Sequence, residues 1–194
     1  MKKAGILGGG QLGRMLLQSA ANYPVLTHVL ENDENCPAAN LCHYFTKGNI
    51  NNFDDVYQFG KNLDCLTIEI ESVNTDALEK LQQEGVKIFP HPEALKTIKN
   101  KILQKQFYAD NQLPSSPFLV TQNKEDLKLH KDFLPAVHKA STDGYDGRGV
   151  QVLHSEDDYE KGFDVPSVLE KMVQVKKEIA IIVAVASNGE TAIY

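Results

Sequence analysis

The chain has 194 residues, 42% of them apolar and 24% charged, which is ordinary for a globular protein of one large or two small domains. Its formal net charge of −6 argues against general affinity for nucleic acid or an anionic membrane, and no segment is long enough to span a bilayer. The three cysteines, Cys36, Cys42 and Cys65, form no C-x-x-C pair, so a disulfide framework or zinc cluster is not expected and a reducing cytoplasm is the default.

Ala4 to Leu7 reads as a buried strand. Gly8-Gly9-Gly10-Gln11-Leu12-Gly13 then opens a helix carrying Leu12, Met15, Leu16 and Ala20. The G-x-G-x-x-G form, with a strand before it and a helix after it, predicts a phosphate at the helix N-terminus, where unpaired N–H groups and the dipole favour an anion. Val25 to Leu30 is the next strand. Glu31 at its end suits a dinucleotide ribose, so an NAD-linked oxidoreductase stands as a second reading.

A polar stretch with Pro37 leads to a helix around Phe53 to Lys61, and Asp64 to Ile70 alternates as a strand. Asn74 or Thr75 caps a helix bearing Ala77, Leu78 and Leu81, and Val86 to Phe89 is a strand stopped by Pro90. Such alternation predicts an α/β unit on a mostly parallel sheet over residues 1–90. A helical connector follows over 91–113, with Leu95, Ile98, Ile102, Leu103 and Phe107 at helical spacing. Its lysines at 99, 101 and 105 read as a solvated face.

Beyond Pro114 the pattern turns to α+β. Pro117 to Thr121 and Pro135 to Ala140 are strands around a polar helical stretch. Val150 to His154 pairs back across Gly144-Tyr145-Asp146-Gly147-Arg148-Gly149, Glu156 to Phe163 is a helix, and Val168 to Met172 and Glu178 to Ala186 are strands. Three glycines in six residues let backbone N–H groups approach an anion, with Lys139 and Arg148 supplying countercharge for a triphosphate. Two anion cradles facing a common cleft are therefore the central expectation. Glu69 and Glu71 share one strand face and, without a ligand, are an acidic edge. The six histidines show no metal spacing. The chain stops within the apolar run Thr191 to Tyr194, which would leave an unpaired edge, and so reads as the N-terminal part of a longer polypeptide.

Lys139, the glycine loop, Glu170-Lys171-Met172-Val173 and Glu178 resemble, in order and spacing, the ATP-grasp enzymes. The tyrosine-containing loop and Gly10-Gln11-Leu12-Gly13-Arg14-Met15 are similar to the N5-carboxyaminoimidazole ribonucleotide synthetases of purine biosynthesis, over essentially the whole chain. The resemblance implies a Rossmann-like pre-ATP-grasp domain over 1–90, the 91–113 connector, a small ATP-grasp lid over 114–174, and the start of a further subdomain over 175–194. It also implies a cytoplasmic, homodimeric carbon–nitrogen ligase that uses ATP, bicarbonate and magnesium (or manganese) to carboxylate the amino group of 5-aminoimidazole ribonucleotide through carboxyphosphate.

By position, the resemblance assigns ATP to Lys101, Lys139, Gly144, Tyr145, Asp146, Gly147, Arg148, Gly149, Val150, Glu170, Lys171, Met172, Val173 and Glu178. The ribonucleotide falls to Gly10, Gln11, Leu12 and Glu71, and the reacting carboxylate to Tyr145, Asp146 and Arg148. Metal ligands are expected only in a C-terminal segment that the 194 residues lack, which implies little or no turnover by this piece alone; a non-catalytic nucleotide-binding remnant is the rival. Four positions depart from the family: Lys101 replaces an arginine, His138 an aliphatic residue, Asp143 a glycine and Val150 a glutamine, with Gln151 adjacent. An inward His138 would need a partner, because a buried imidazole without one costs stability.

Overall fold

In a computed structural model, residues 1–142, 149–186 and 188–194 are described. The first half alternates β1 (Lys2–Leu7), α1 (Gln11–Ala20), β2 (Val25–Glu31), β3 (Tyr44–Lys47), α2 (Phe53–Gly60), β4 (Cys65–Ile68), α3 (Thr75–Gln83) and β5 (Lys87–Phe89). The five strands form one parallel sheet in the order β3-β2-β1-β4-β5. Side chains alternate across it. Leu7, Leu30, Leu66 and Ile88 pack with Val56, Leu78 and Leu81 of α2 and α3, while Ile6 and Val29 pack with Leu17, Cys36 and Ala38 on the other face. Each leucine so enclosed contributes on the order of 2 kcal/mol, which is why the apolar runs settle as central strands. Asn52 and Asn74 fix two helix starts, their side chains accepting from the N–H groups of Asp55 and Ala77.

Several sequence expectations are corrected here. Strand β3 occupies part of the stretch read as polar; its pattern is weak because only Phe45 is partly buried, and register against β2 defines it. The single connector helix is two, α4 (Pro92–Lys99) and α5 (Lys101–Asp110). Asn100 lies between them in extended conformation, its side chain accepting from the N–H groups of Ile102 and Leu103. In α1 the inward residues are Gly13 and Leu17, whereas Leu12, Met15 and Leu16 are exposed.

The second half forms a four-stranded antiparallel sheet in the order β6-β9-β7-β8, from β6 (Phe118–Thr121), β7 (Ala136–Ala140), β8 (Val150–Leu153) and β9 (Ser167–Lys171). The intervening segments, expected to be helical, are the 3-10 helices Lys124–Phe133 and Glu156–Lys161. Leu127 and Tyr159 from these segments pack with Ala136, Leu153 and Leu169 of the sheet. The strand expected from Glu178 to Ala186 shrinks to β10 (Val183–Val185), paired with β11 (Thr191–Ile193), and both strands are exposed.

His138 does point inward. It is fully buried on β7, and its Nδ1 accepts from the Phe163 N–H at 3.2 Å. That bond assigns the proton to Nε2, which donates to the Thr121 hydroxyl at 2.9 Å. Both ring nitrogens are thereby satisfied in the neutral form. Desolvation lowers the pKa to about 4, so the ring remains neutral at physiological pH.

Candidate functional site

In the parallel sheet, β2 and β3 lie to one side of β1, and β4 and β5 to the other. The loops after β1 and β4 therefore diverge at the carboxyl edge, the usual place for a ligand crevice in such sheets. Gly8 has a φ of 102°, open to glycine at little cost, and turns the chain into α1. The Gly9 N–H donates to Glu31 at 3.1 Å, and the other Glu31 oxygen accepts from the Asn32 N–H at 2.7 Å. Both Glu31 oxygens are thus engaged by the main chain of the loop after β1 and of β2's own end, so the carboxylate braces the glycine turn.

Glu69 is more than an acidic edge. Its carboxylate accepts from the Leu12 N–H at 3.3 Å, a favourable placement of negative charge at the start of a helix. A Cβ on Gly10 would stand 2.6 Å from the same Oε1, so glycine leaves room for that carboxylate. Gln11, Leu12 and Glu71 are exposed around this loop, and the Glu71 carbonyl accepts from Val73 N–H at 2.8 Å.

On the antiparallel sheet, alternation along β7 sends Ala136, His138 and Ala140 into the core and leaves Val137 and Lys139 on the other face. Val137 is paired with Glu170 on β9, which brings Lys139 Nζ to 3.0 Å from Glu170 Oε1. The second oxygen, Oε2, accepts from Lys105 Nζ of α5 at 3.1 Å and from the Ser116 hydroxyl at 3.0 Å. Burial raises the Glu170 carboxyl, but hydrogen bonds from Lys139 and Lys105 outweigh it and leave the pKa below the ordinary value. Two cations thus hold one half-enclosed anion.

Residues 99–101 join the two regions. The Lys99 ammonium donates to the Val73 carbonyl at 2.7 Å, and the Lys101 N–H to the Ser141 carbonyl at 2.9 Å. Val73 is close in sequence to Glu71, as Ser141 is to Lys139. The lysines at 99 and 105 are therefore not a solvated face, since one braces a carbonyl and the other is buried.

Of the other expected ATP contacts, Gly149 and Val150 lie beside the lysine: the Gly149 carbonyl accepts from Ala140 N–H at 3.0 Å, and Val150 is paired with Lys139. The Lys171 ammonium is turned to the other side, donating to the carbonyls of Phe133 and Leu134 at 3.0 and 2.9 Å. Met172 donates its N–H to the Pro135 carbonyl, while Val173 and Glu178 are exposed in the segment before β10. Asp143, Gly144, Tyr145, Asp146, Gly147 and Arg148 lie outside the described residues. Lys105 is the residue that sequence reasoning missed. Its signal was its spacing with Ile102 and Tyr108 on the inward side of α5.

Fold and site define a class, an α/β protein that pairs a glycine-loop crevice on a parallel sheet with a Lys–Glu cluster on an antiparallel one. The family model for the ribonucleotide synthetase preATP-grasp domain matches residues 1–99 and that for the ATP-grasp domain matches residues 106–194, so the chain belongs to the ribonucleotide synthetases of the ATP-grasp fold.

The chain is 35% identical over 204 residues to phosphoribosylaminoimidazole carboxylase of Candida glabrata, covering 100% of itself and 36% of that protein. It is similar to carboxyaminoimidazole ribonucleotide synthase of Aspergillus clavatus complexed with ATP, with a TM-score of 0.89 and 35% identity. The N5-carboxyaminoimidazole synthase of that organism in complex with ADP and 5-aminoimidazole ribonucleotide superposes with a TM-score of 0.86 and 33% identity. In both comparisons the match covers 100% of this chain and 52% of the solved one. The chain thus spans about a third to a half of the proteins it resembles.

Proposed function

We propose that this chain forms part of a ligase that carboxylates the amino group of 5-aminoimidazole ribonucleotide with ATP and bicarbonate. A bicarbonate oxygen attacks the γ-phosphorus and ADP departs, leaving carboxyphosphate. The amine then attacks the carboxyl carbon, phosphate leaves and the nitrogen gives up a proton. The protein's contribution is to position the partners and balance their charge. The observation that carries this reading is the Lys139–Glu170 pair on the open face of the lid sheet, linked through residues 99–101 to the glycine-loop crevice.

In this scheme Lys139, Lys101 and the 144–150 loop meet the phosphates. Glu170 and the main chain of residues 171–173 meet the adenine edge, and Glu178 accepts from the ribose hydroxyls. Gly10, Gln11, Leu12 and Glu71 bound the ribonucleotide, and Tyr145, Asp146 and Arg148 face the reacting carboxylate. The lid extends over 114–174, and the working enzyme is a cytoplasmic homodimer. Magnesium, or manganese, would offset the phosphate charge; among the described residues no three His, Cys, Asp or Glu groups lie close enough to hold a metal by themselves.

Lys139→Ala tests the reading. Removing a charge-assisted contact costs about 1.5–3 kcal/mol, so ATP affinity measured by calorimetry should fall about tenfold or more. The melting temperature should hold, because the lysine side chain is 29% exposed. Unchanged ATP affinity, or a thermal shift with NAD but none with ATP, would remove the assignment.

A further inference from the structure

Lys105 and Lys139 share the Glu170 carboxylate but differ in every other respect. The Lys105 side chain is 8% exposed, and its ammonium has three oxygen partners: Ser115 Oγ at 2.6 Å, Ser116 Oγ at 3.2 Å and Glu170 Oε2 at 3.1 Å. An ammonium has three protons, so this one is fully engaged and fixed in place. Its stem also carries the charge over the Phe118 ring, 6.0 Å from the centroid. Lys139 is 29% exposed and, among the described residues, forms its ion pair with Glu170 alone. One cation is locked to the carboxylate and the other is available to a ligand.

We propose that Lys105 is a positioning residue for nucleotide selection, holding Glu170 in place and ionised while Lys139 turns its charge toward the phosphates. The inference rests on the placement of adenine at Glu170 proposed above. A phosphate group drawing on Lys139 weakens what is, among the described residues, the only other cationic partner of a carboxylate that is 13% exposed. Without Lys105 that carboxylate would follow Lys139 and compete with the phosphates for it, or else take up a proton. Held by Lys105, it stays an acceptor. It can then receive the exocyclic amino group of adenine and opposes guanine, which presents a carbonyl oxygen at the corresponding edge.

The test compares Lys105→Met, Lys105→Arg and the parent chain, with folding checked by circular dichroism. Dissociation constants are measured for ATP and GTP, and the Glu170 carboxyl is titrated by carbon-13 NMR without nucleotide. Lys105→Met should weaken ATP about tenfold, equivalent to about 1.4 kcal/mol, while GTP changes far less, so that selectivity collapses. Its Glu170 carboxyl should titrate at higher pH than in the parent, and Lys105→Arg should restore both readouts in part.

Equal losses for ATP and GTP would mark Lys105 as a remote charge and overturn the proposal. So would a Glu170 titration unchanged in a folded Lys105→Met chain. If the parent chain binds no ATP, the ligase reading falls on its own, while the NMR titration still decides whether Lys105 holds Glu170. Should Lys105→Met fail to fold, Ser115→Ala, which loosens the ammonium while leaving the Ser116 bond to Glu170 in place, gives the same two readouts.

Discussion

At the scale of single residues, His138 shows how a polar side chain is accommodated in the core. Its neutral ring accepts from Phe163 and donates to Thr121, so the polar atoms that burial would penalise are paired within the second half of the chain. Protonation would remove the acceptor at Nδ1. The folded pKa, about 4, lies below the ordinary value of 6.5, so between these pH values the unfolded chain binds the extra proton. Stability should therefore fall as pH drops from 6.5 toward 4, by on the order of 3 kcal/mol, and level off below. Denaturant unfolding between pH 4 and 7 measures this, and His138→Val should flatten that part of the slope. Thr121 retains a long contact to the Ser167 carbonyl at 3.5 Å in that variant.

Gly10 carries a second prediction at this scale. A methyl group there meets the end of a flexible side chain, Glu69 Oε1 at 2.6 Å, and not fixed backbone. Gly10→Ala should therefore cost less than about 1 kcal/mol of stability, since the carboxylate can swing aside. It should nevertheless weaken ribonucleotide binding where the loop must approach a ligand closely. Denaturant titration and calorimetry with the ribonucleotide check the two halves.

Among the secondary-structure elements, the break at Asn100 matters most. It divides the connector so that α5 presents Lys105 to the antiparallel sheet while Lys99 and the Lys101 N–H brace the loop after β4 and the turn after β7. Asn100→Ala removes an acceptor for two N–H groups and should destabilise the chain by about 1 kcal/mol, read from the denaturation midpoint. Because both half-sites are tied to this junction, ATP affinity should fall with it. A destabilised variant with intact ATP affinity would separate the cap from the site.

Much at this level was legible. The strands of the first half and the helix capped at Asn74 follow from local pattern, and the strand that carries Lys139 follows from its apolar run. The split connector did not, because Leu95, Ile98, Ile102 and Leu103 keep helical spacing across a residue that is extended. Nor did Lys105, since a lysine on a helix reads as solvated until its partner is known. Glu170 lies 65 residues away, and only strand pairing through β9 brings it there.

For the whole molecule, the last stretch carries many exposed apolar side chains. Val173, Val175, Ile179, Ile181, Ile182, Val183, Val185, Ile193 and Tyr194 are all exposed. Apolar surface of that kind marks a contact face or an aggregation liability. The chain should bind a hydrophobic dye strongly and self-associate with concentration. Ile182→Lys should reduce both, in dye fluorescence and light scattering, with the denaturation midpoint unchanged because the residue is 69% exposed. A midpoint that fell with the dye signal would show that the hairpin supports the fold.

The amino-acid sequence alone determined the alternating α/β half, the change to shorter strands beyond residue 113, the glycine turn after β1 and the strand that carries Lys139. These depend on local periodicity, turn-forming residues and side-chain chemistry, all of which act over a few neighbours. Tertiary structure alone decided that Glu31 serves the main chain, that Glu69 caps α1, that His138 is a satisfied core residue, and that Glu170 lies between two lysines. Each of these outcomes depends on which distant group arrives within hydrogen-bonding range. A charged or polar side chain has no fixed role until packing determines its partner and its access to water.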